Sequence, residues 1–350
     1  VSTAPQTTSL IRSTAEFARY VGLSRSAVSR VLNKQPGLRP ATIEKVRKAI
    51  EETGFTLNAH ALHLRGKSAN LIGVCMETLG TAPDVNKLSV FQNLLQERGY
   101  STLIEVLKQG TSEQTIQHFL SMRVSGIVFI GHFDTDELKE RISQLIKREM
   151  PYLVVNQSGI KSAHTVSLDR TRAMREVTGH LLDLGHRSFG LLGFSGEYQT
   201  IVDRLKGVRQ AFELKGLDME TCAQSLDYLY PRTSHFEFGR KLATSFLKLP
   251  ELPTAFLAVN DETAVGAMQE FQAAGLRFPE DLSMVGFNNE NICLMTRPCL
   301  SSVDQQIDRT MEEASKALLG QMANNQPRKP IQCDIPPVFV ERGTTGPARR

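Results

Sequence analysis

STAEFARYVGLSRSAVSRVLN, residues 13–33, reads as two short helices joined by a tight turn at Gly22. Ser13 suits an N-cap, and Glu16 three residues on completes a capping box. Ala15, Phe17, Ala18 and Val21 give the first helix an inward face. Ser24 caps the second, whose apolar face is Ala27, Val28, Val31 and Leu32. Gln35-Pro36-Gly37 stops it, and Pro40 to Glu52 forms a third helix with Ile43, Val46 and Ile50 inward. Three such helices make a helix-turn-helix domain. Its second helix carries Ser24, Arg25, Ser26, Ser29, Arg30 and Asn33, and the first part of that helix is the part that enters a DNA major groove. Arg25 and Ser26 lie there, away from the Val28/Val31 face. A planar guanidinium suits guanine, because it donates two bonds to O6 and N7. Each polar residue alone equally suits a solvated helix face. The set, behind a turn glycine, points to DNA.

The charge distribution supports this. The net charge of the 350 residues is +4. Residues 1–70 hold 11 Lys and Arg against 4 acids, and the remainder holds 30 against 33. A basic head on a mildly acidic body is an electrostatic footprint of nucleic-acid binding. No apolar run of about 18 residues predicts a membrane span, and VSTAPQTTSL at the start has no signal-peptide character. The expected location is the cytoplasm. Cys75, Cys222, Cys293, Cys299 and Cys333 are scattered and read as reduced thiols.

After the three helices, Asn58-Ala-His-Ala-Leu-His-Leu64 forms a short segment that is marginal as an isolated helix. It would gain order by packing on a twin and wedging a leucine between base steps in the minor groove.

These residues resemble the lac repressor and gal repressor (LacI-GalR) family of bacterial transcription regulators. The likeness rests on Ser13-Thr-Ala-Glu-Phe-Ala18, Val21-Gly-Leu-Ser24 and Ala27-Val-Ser-Arg-Val-Leu-Asn33, and on Phe55, Asn58, Ala61 and Leu64 at hinge positions. Later landmarks are Leu184-Gly-His-Arg187, Asp203-Arg-Leu-Lys-Gly207, Val259-Asn-Asp-Glu262, Pro279-Glu-Asp-Leu-Ser-Met-Val-Gly-Phe287 and Phe339-Val-Glu-Arg-Gly343. The resemblance implies base reading by Arg25 and Ser26. It implies backbone or base contacts from Ser29, Arg30 and Asn33, and a minor-groove wedge at Leu64. By residue type Ser24, Ser29 and Asn33 suit phosphate oxygens or caps, and Ser13 and Asn58 complete the expected DNA-binding set. One departure is Leu57, where the family usually has proline before the hinge asparagine.

Beyond the hinge, short apolar runs alternate with helical segments, which predicts parallel sheets with helices on both faces. The expected architecture is a small all-α helix-turn-helix head (10–55), a hinge helix and linker (56–70), and a two-lobed, periplasmic-binding-protein-like α/β body (71–343). The first lobe is expected over about 71–160 and 290–320. The second is expected over about 161–289 and 321–343, with three crossovers between them. Ligands of open parallel sheets sit beyond the carboxyl ends of the strands. Thr78, Asn156, Gln157, Asp169, Arg204, Asn260, Asn289 and Gln305 are the polar candidates there, and the resemblance points to Arg204, Asn260, Asn289 and Gln305 as effector residues.

The family's first-loop aromatic run is replaced by Thr78-Leu-Gly-Thr-Ala-Pro-Asp84, a common Asp-Arg pair by Asn156-Gln157, and a late Asp by Asn289. Carboxylates grip paired sugar hydroxyls well, so these losses turn the expectation toward an anionic or phosphorylated ligand. Asp261 reads as a helix cap.

Catalysis is not expected. Gly193-Phe-Ser-Gly196 lacks the last glycine of a nucleophile elbow, and His180 and His186 have the wrong spacing for one helix face. No cofactor or metal is implied. The expected protein is a dimeric transcription regulator, a repressor by resemblance. Its partners are double-stranded operator DNA and a small-molecule effector: a sugar, sugar acid or sugar phosphate. The residues alone leave a second reading, a solute-binding or enzymatic body whose head contacts protein.

Overall fold

The computed structural model describes residues 11, 13–32, 36–55, 70–107, 111–195, 198–226, 234–324 and 329–349. The chain divides into two compact units, Val1–Ala69 and Asn70–Arg350.

The first unit holds α1 (Thr14–Val21), α2 (Arg25–Leu32) and α3 (Pro40–Thr53). Ser13 Oγ accepts the Glu16 N–H at 3.1 Å, and Ser24 Oγ accepts that of Ala27 at 3.1 Å. Each hydroxyl thereby satisfies one of the amide groups left open at a helix start. Gly22 ends α1 in the left-handed region, with φ of 67°. Phe17, Val21, Val28 and Val46 close the core, and the rings of Phe17 and Phe55 stack at 4.1 Å. Against expectation, Ile43 is 42% exposed, and Ala49 is buried instead. The inward face of α3 runs through Val46 and Ala49, with Ile50 at its edge.

The second unit begins with β1 (Leu71–Met76), α4 (Ala82–Gln96), β2 (Ser101–Val106), α5 (Ser112–Ser121), β3 (Gly126–Ile130), α6 (Thr135–Lys147), β4 (Tyr152–Val155) and β5 (Thr165–Leu168). It continues with α7 (Arg170–Asp183), β6 (Phe189–Leu192), α8 (Gln199–Leu214), α9 (Met219–Cys222), β7 (Ala223–Ser225), α10 (His235–Phe246), β8 (Ala255–Ala258), α11 (Asp261–Ala273) and β9 (Ser283–Asn288). The last elements are α12 (Ile292–Met295), β10 (Ser301–Asp304), α13 (Ile307–Asn324), β11 (Gln332–Ile335) and β12 (Val338–Val340).

The first sheet has the order β11-β5-β4-β3-β1-β2 and is parallel throughout. The second has the order β12-β10-β9-β8-β6-β7, parallel except for its antiparallel edge strand β12. The strands of both are largely buried, as a sheet covered on two faces requires.

The lobes differ from the sequence expectation in three places. The strand at 165–168 belongs to the first sheet, so the first crossover follows Leu168 rather than residue 160. β4 and β5 are parallel neighbours joined without a helix. Parallel pairs normally need a helical crossover, and the lack of one between them mimics a change of lobe. β10 sits in the second sheet although residues 290–320 were expected in the first lobe; only α13, which packs on α4, β4 and β5, lies there. β11 returns to the first sheet and β12 to the second. The chain thus crosses after Leu168, Asp304 and Ile335.

One close approach shapes the second lobe. A Cβ on Gly266 of α11 would lie 2.0 Å from Phe236 O, and one on Gly239 of α10 would lie 2.1 Å from Thr263 O. The two helices meet backbone to backbone. That contact brings His235 Nδ1 within 3.4 Å of Glu262 Oε2 at the mouth of the cleft described next.

Candidate ligand cleft and nucleic-acid interface

On the head, Arg25, Ser26 and Arg30 are exposed along α2 and Ser29 is half-buried, opposite the buried Val28. Ser13 and Ser24 are exposed at the helix starts, where their oxygens accept backbone N–H groups and their hydroxyl protons remain able to donate to phosphate. Asn33, Asn58 and Leu64 lie outside the described residues.

In the body, the carboxyl ends of both sheets line one cleft of about 720 Å³, within the range of small-molecule sites. Of the effector candidates, Thr78, Arg204, Asn260 and Gln305 line it, as does Asn156.

Gln157, Asp169 and Asn289 do not, and each has a structural task. Gln157 is buried and clamps the end of β3: its Oε1 accepts the Phe133 N–H at 2.9 Å, and its Nε2 donates to Phe133 O at 3.0 Å. Asp169 caps α7 by accepting the Arg172 N–H at 2.9 Å. Asn289 donates to Asp304 Oδ2 at 2.9 Å and accepts from Arg342. The late polar position that lines the cleft is its neighbour Asn288, the last residue of β9; Asn289 lies past the strand end with φ of 57° and is held by Asp304 and Arg342 instead. Asp261 is not the cap of α11 either. Asn260 is the cap, accepting the Thr263 N–H at 2.8 Å. The buried Asp261 carboxylate accepts from Glu290 N and Ser302 Oγ at 2.8 and 2.6 Å.

The cleft also contains residues that the sequence reading passed over. Lys87, on α4, is 3% exposed, and its Nζ is 3.7 Å from Asp84 Oδ1. Burial lowers its pKa from 10.5 to about 8, against the opposing pull of Asp84. Arg170 opens α7 and is 2% exposed; one Nη donates to Asn156 Oδ1. Burial lowers it to about 10, with Asp203 opposing. Arg204 on α8 is 8% exposed, with its guanidinium carbon 4.1 Å above the Phe287 ring. His132 is held well below the ordinary imidazole range by burial, then by Arg170, Lys87 and Arg204. Its backbone N–H donates to Glu77 Oε2 at 2.8 Å.

At another part of the wall, Gln305 donates to Asn288 Oδ1, and Asn288 Nδ2 donates to Glu290 Oε1 at 2.8 Å. Burial raises the Glu290 pKa, opposed by the Asn288 bond and reinforced by Asp261, Glu262 and Asp84.

Lys87 gives a testable sign. Its pKa is lower folded than unfolded, so its charge weakens the fold below about pH 8, and this effect fades as pH rises toward 10.5. The difference corresponds to about 3 kcal/mol at neutral pH. Lys87→Met is therefore expected to raise the melting temperature of the ligand-free protein by several degrees at pH 7, with the gain shrinking by pH 10. Thermal denaturation across that pH range checks it; a lower melting temperature at pH 7 would contradict it.

A helix-turn-helix head with exposed arginines and a two-lobed body enclosing a polar cleft define a DNA-binding regulator with a binding-protein body. Comparison with known proteins agrees. Residues 15–58 match "Bacterial regulatory proteins, lacI family", and residues 178–345 match "Periplasmic binding protein-like domain". Catabolite control protein A of Staphylococcus aureus is 29% identical over 347 residues, covering 94% of this chain and 98% of that protein. The HTH-type transcriptional regulator DegA of Bacillus subtilis is 28% identical over 342 residues, covering 95% and 97%. The fold matches the lac repressor dimer bound to operator and the anti-inducer ONPF with a TM-score of 0.84 at 23% identity, covering 96% of this chain and 99% of that one. A complex of the transcriptional regulator CelR with cellobiose gives 0.67 at 21%, covering 95% and 99%.

Over nearly its whole length the chain is similar to these regulators, and its head matches the lacI family of bacterial regulatory proteins. It is a DNA-binding transcription regulator. Among the described residues no helix is long and apolar enough to cross a membrane.

Proposed function

We propose that this regulator is a cytoplasmic, homodimeric repressor whose operator affinity is set by a sugar derivative bound in the cleft. It acts by binding and not by catalysis. The observation that carries the reading is the cleft itself, lined from both lobes and holding buried Arg204 with the amides of Asn260, Asn288 and Gln305. A ligand touching both lobes favours one lobe angle over another, and differential affinity of this kind is what shifts a two-state equilibrium. In this reading Arg25 and Ser26 read bases, and Ser13, Ser24, Ser29 and Arg30 hold phosphates. Asn33, Asn58 and Leu64 complete the contacts, and a two-fold dimer reads two half-sites of a near-palindromic operator.

Selection of DNA from a random pool by the purified protein tests this reading. A palindromic consensus is expected, with affinity falling steeply as salt rises, because each phosphate contact releases counterions. A flat salt response favours a head that contacts protein. Arg25→Ala is expected to cost about 1–3 kcal/mol of discrimination at one base position in each half-site, with other positions unchanged. Uniform weakening across all sequences would reassign Arg25 to phosphate.

A further inference from the structure

Where the ends of β3 and β4 approach the start of α7, the cleft wall holds side chains whose hydrogen bonds are incomplete. Arg170 is the second residue after β5 and opens α7, so it stands just past the first crossover between the lobes. Its Nη2 donates to Asn156 Oδ1, at the end of β4 in the first lobe. Arg170 is 2% exposed and lines the cavity, yet among the described residues its Nε and Nη1 have no hydrogen-bond partner. His132, which follows β3, also lines the cavity, and its buried Nδ1 has none either. Among the charges acting on that ring, Arg170 comes first.

Two carboxylates act on this corner without closing those gaps. Asp203 offsets the charge of Arg170. Its own oxygens accept from Ser158 Oγ at 2.6 Å and from Gln199 Nε2 at 2.9 Å. Glu77 Oε2 takes the backbone N–H of His132 at 2.8 Å, which leaves the ring Nδ1 open. Arg170 therefore has a counter-charge but lacks acceptors for two of its nitrogens. A buried polar group left open costs about 1–3 kcal/mol, and such groups are rare unless something completes them.

A hydroxyl is the group that completes both residues. Its oxygen accepts from a guanidinium N–H, and its proton can go to a neutral imidazole nitrogen. The His132 ring is neutral at pH 7, because burial holds its pKa well below the ordinary range. A methylene at the same place would leave the guanidinium and the ring nitrogen unpaired.

We infer that Arg170 and His132 are specificity-determining residues of the cleft, which together hold one hydroxyl of the ligand and reject analogues that lack it. This rests on the reading of the cleft as the effector site. It also ties the ligand to the crossover, since the guanidinium that takes the hydroxyl is the one bonded to Asn156 of the first lobe.

The test is calorimetric titration of the intact protein with D-glucose, D-galactose, D-ribose, D-gluconate and D-glucose 6-phosphate, followed by the monodeoxy forms of the tightest binder. One monodeoxy form is expected to bind about tenfold or more weaker than its parent, because a site that pairs a hydroxyl discriminates strongly against its loss. In Arg170→Met the parent compound is expected to weaken by about tenfold or more, and the same monodeoxy form to bind within about threefold of it. That loss of discrimination is a coupling between residue and hydroxyl, which a merely structural role would not produce. His132→Leu, which keeps the backbone N–H on Glu77, is expected to lose part of the same discrimination and serves alone if circular dichroism shows Arg170→Met unfolded. Monodeoxy forms that all bind the intact protein within about threefold of the parent, a penalty unchanged in the folded variants, undiminished affinity in both variants, or no binding of any of these compounds at millimolar concentration overturns the inference. If Arg204→Ala abolishes binding while Arg170→Met and His132→Leu leave it intact, the inference fails but the cleft remains the effector site. If a compound binds and Arg204→Ala leaves its binding unchanged, the cleft reading fails with it.

Discussion

Phe17→Ala is expected to unfold the head and abolish operator binding while the body melts as before. Phe17 is fully buried, stacked on Phe55, and packed in a core completed by Val21, Val28, Val46 and Ala49. Truncating a buried phenylalanine costs about 3–5 kcal/mol. A single core of this size supplies about 3–5 kcal/mol or less, so the loss consumes the margin. The body has its own cores, none of which includes Phe17. Calorimetry should lose a transition belonging to the head and keep that of the body, and fluorescence anisotropy should show no specific DNA binding. Operator affinity within about threefold of the parent would mean that the stacked pair is not what holds the head together.

Arg204→Ala carries the largest expected effect on ligand response. Removing one partner of a buried charge-assisted contact costs about 2–5 kcal/mol, or roughly 30-fold to several-thousand-fold in affinity. The variant also loses the cation stacked on Phe287, and that loss is smaller, about 1–2 kcal/mol. Ligand binding by the variant should therefore be weakened far more than its melting temperature is changed. Lysine at the same position is not expected to rescue, because its point charge lacks the planar fork that stacks and pairs in two places.

Much of the fold is written locally. Ser13, Gly22, Ser24 and Gly54 mark helix ends by residue type, and short-range geometry alone explains why they sit there. The buried strands appear as apolar runs because both faces of each sheet are covered. What the sequence hides is set by distant parts of the chain. β5 looks like the start of a new lobe because no helix separates it from β4, and only sheet pairing assigns it. Asn288 and Asn289 are chemically identical, and the backbone turn at the end of β9 with the distant partners Asp304 and Arg342 decides which lines the cleft.

Lys87 carried a weak signal. Pro83, Lys87, Phe91 and Leu95 form one buried stripe of α4, and a lysine in such a stripe needs a reason. Arg170 carried none, since a residue after a helix cap is ordinarily exposed; its burial comes from packing at the junction of the lobes. The resemblance to the lacI family pointed to Arg204, Asn260 and Gln305, which line the cleft, but not to Lys87 and Arg170 beside them.

The central claim is that occupancy of the cleft sets the affinity of the head for DNA. Its most direct test is operator affinity, by fluorescence anisotropy at fixed salt, for the intact protein and for Arg204→Ala. Each is measured alone and with a panel of neutral sugars, sugar acids and sugar phosphates. At least one compound is expected to change the affinity of the intact protein by about fivefold or more, and to leave that of Arg204→Ala unchanged. An equal change in both proteins would contradict the account.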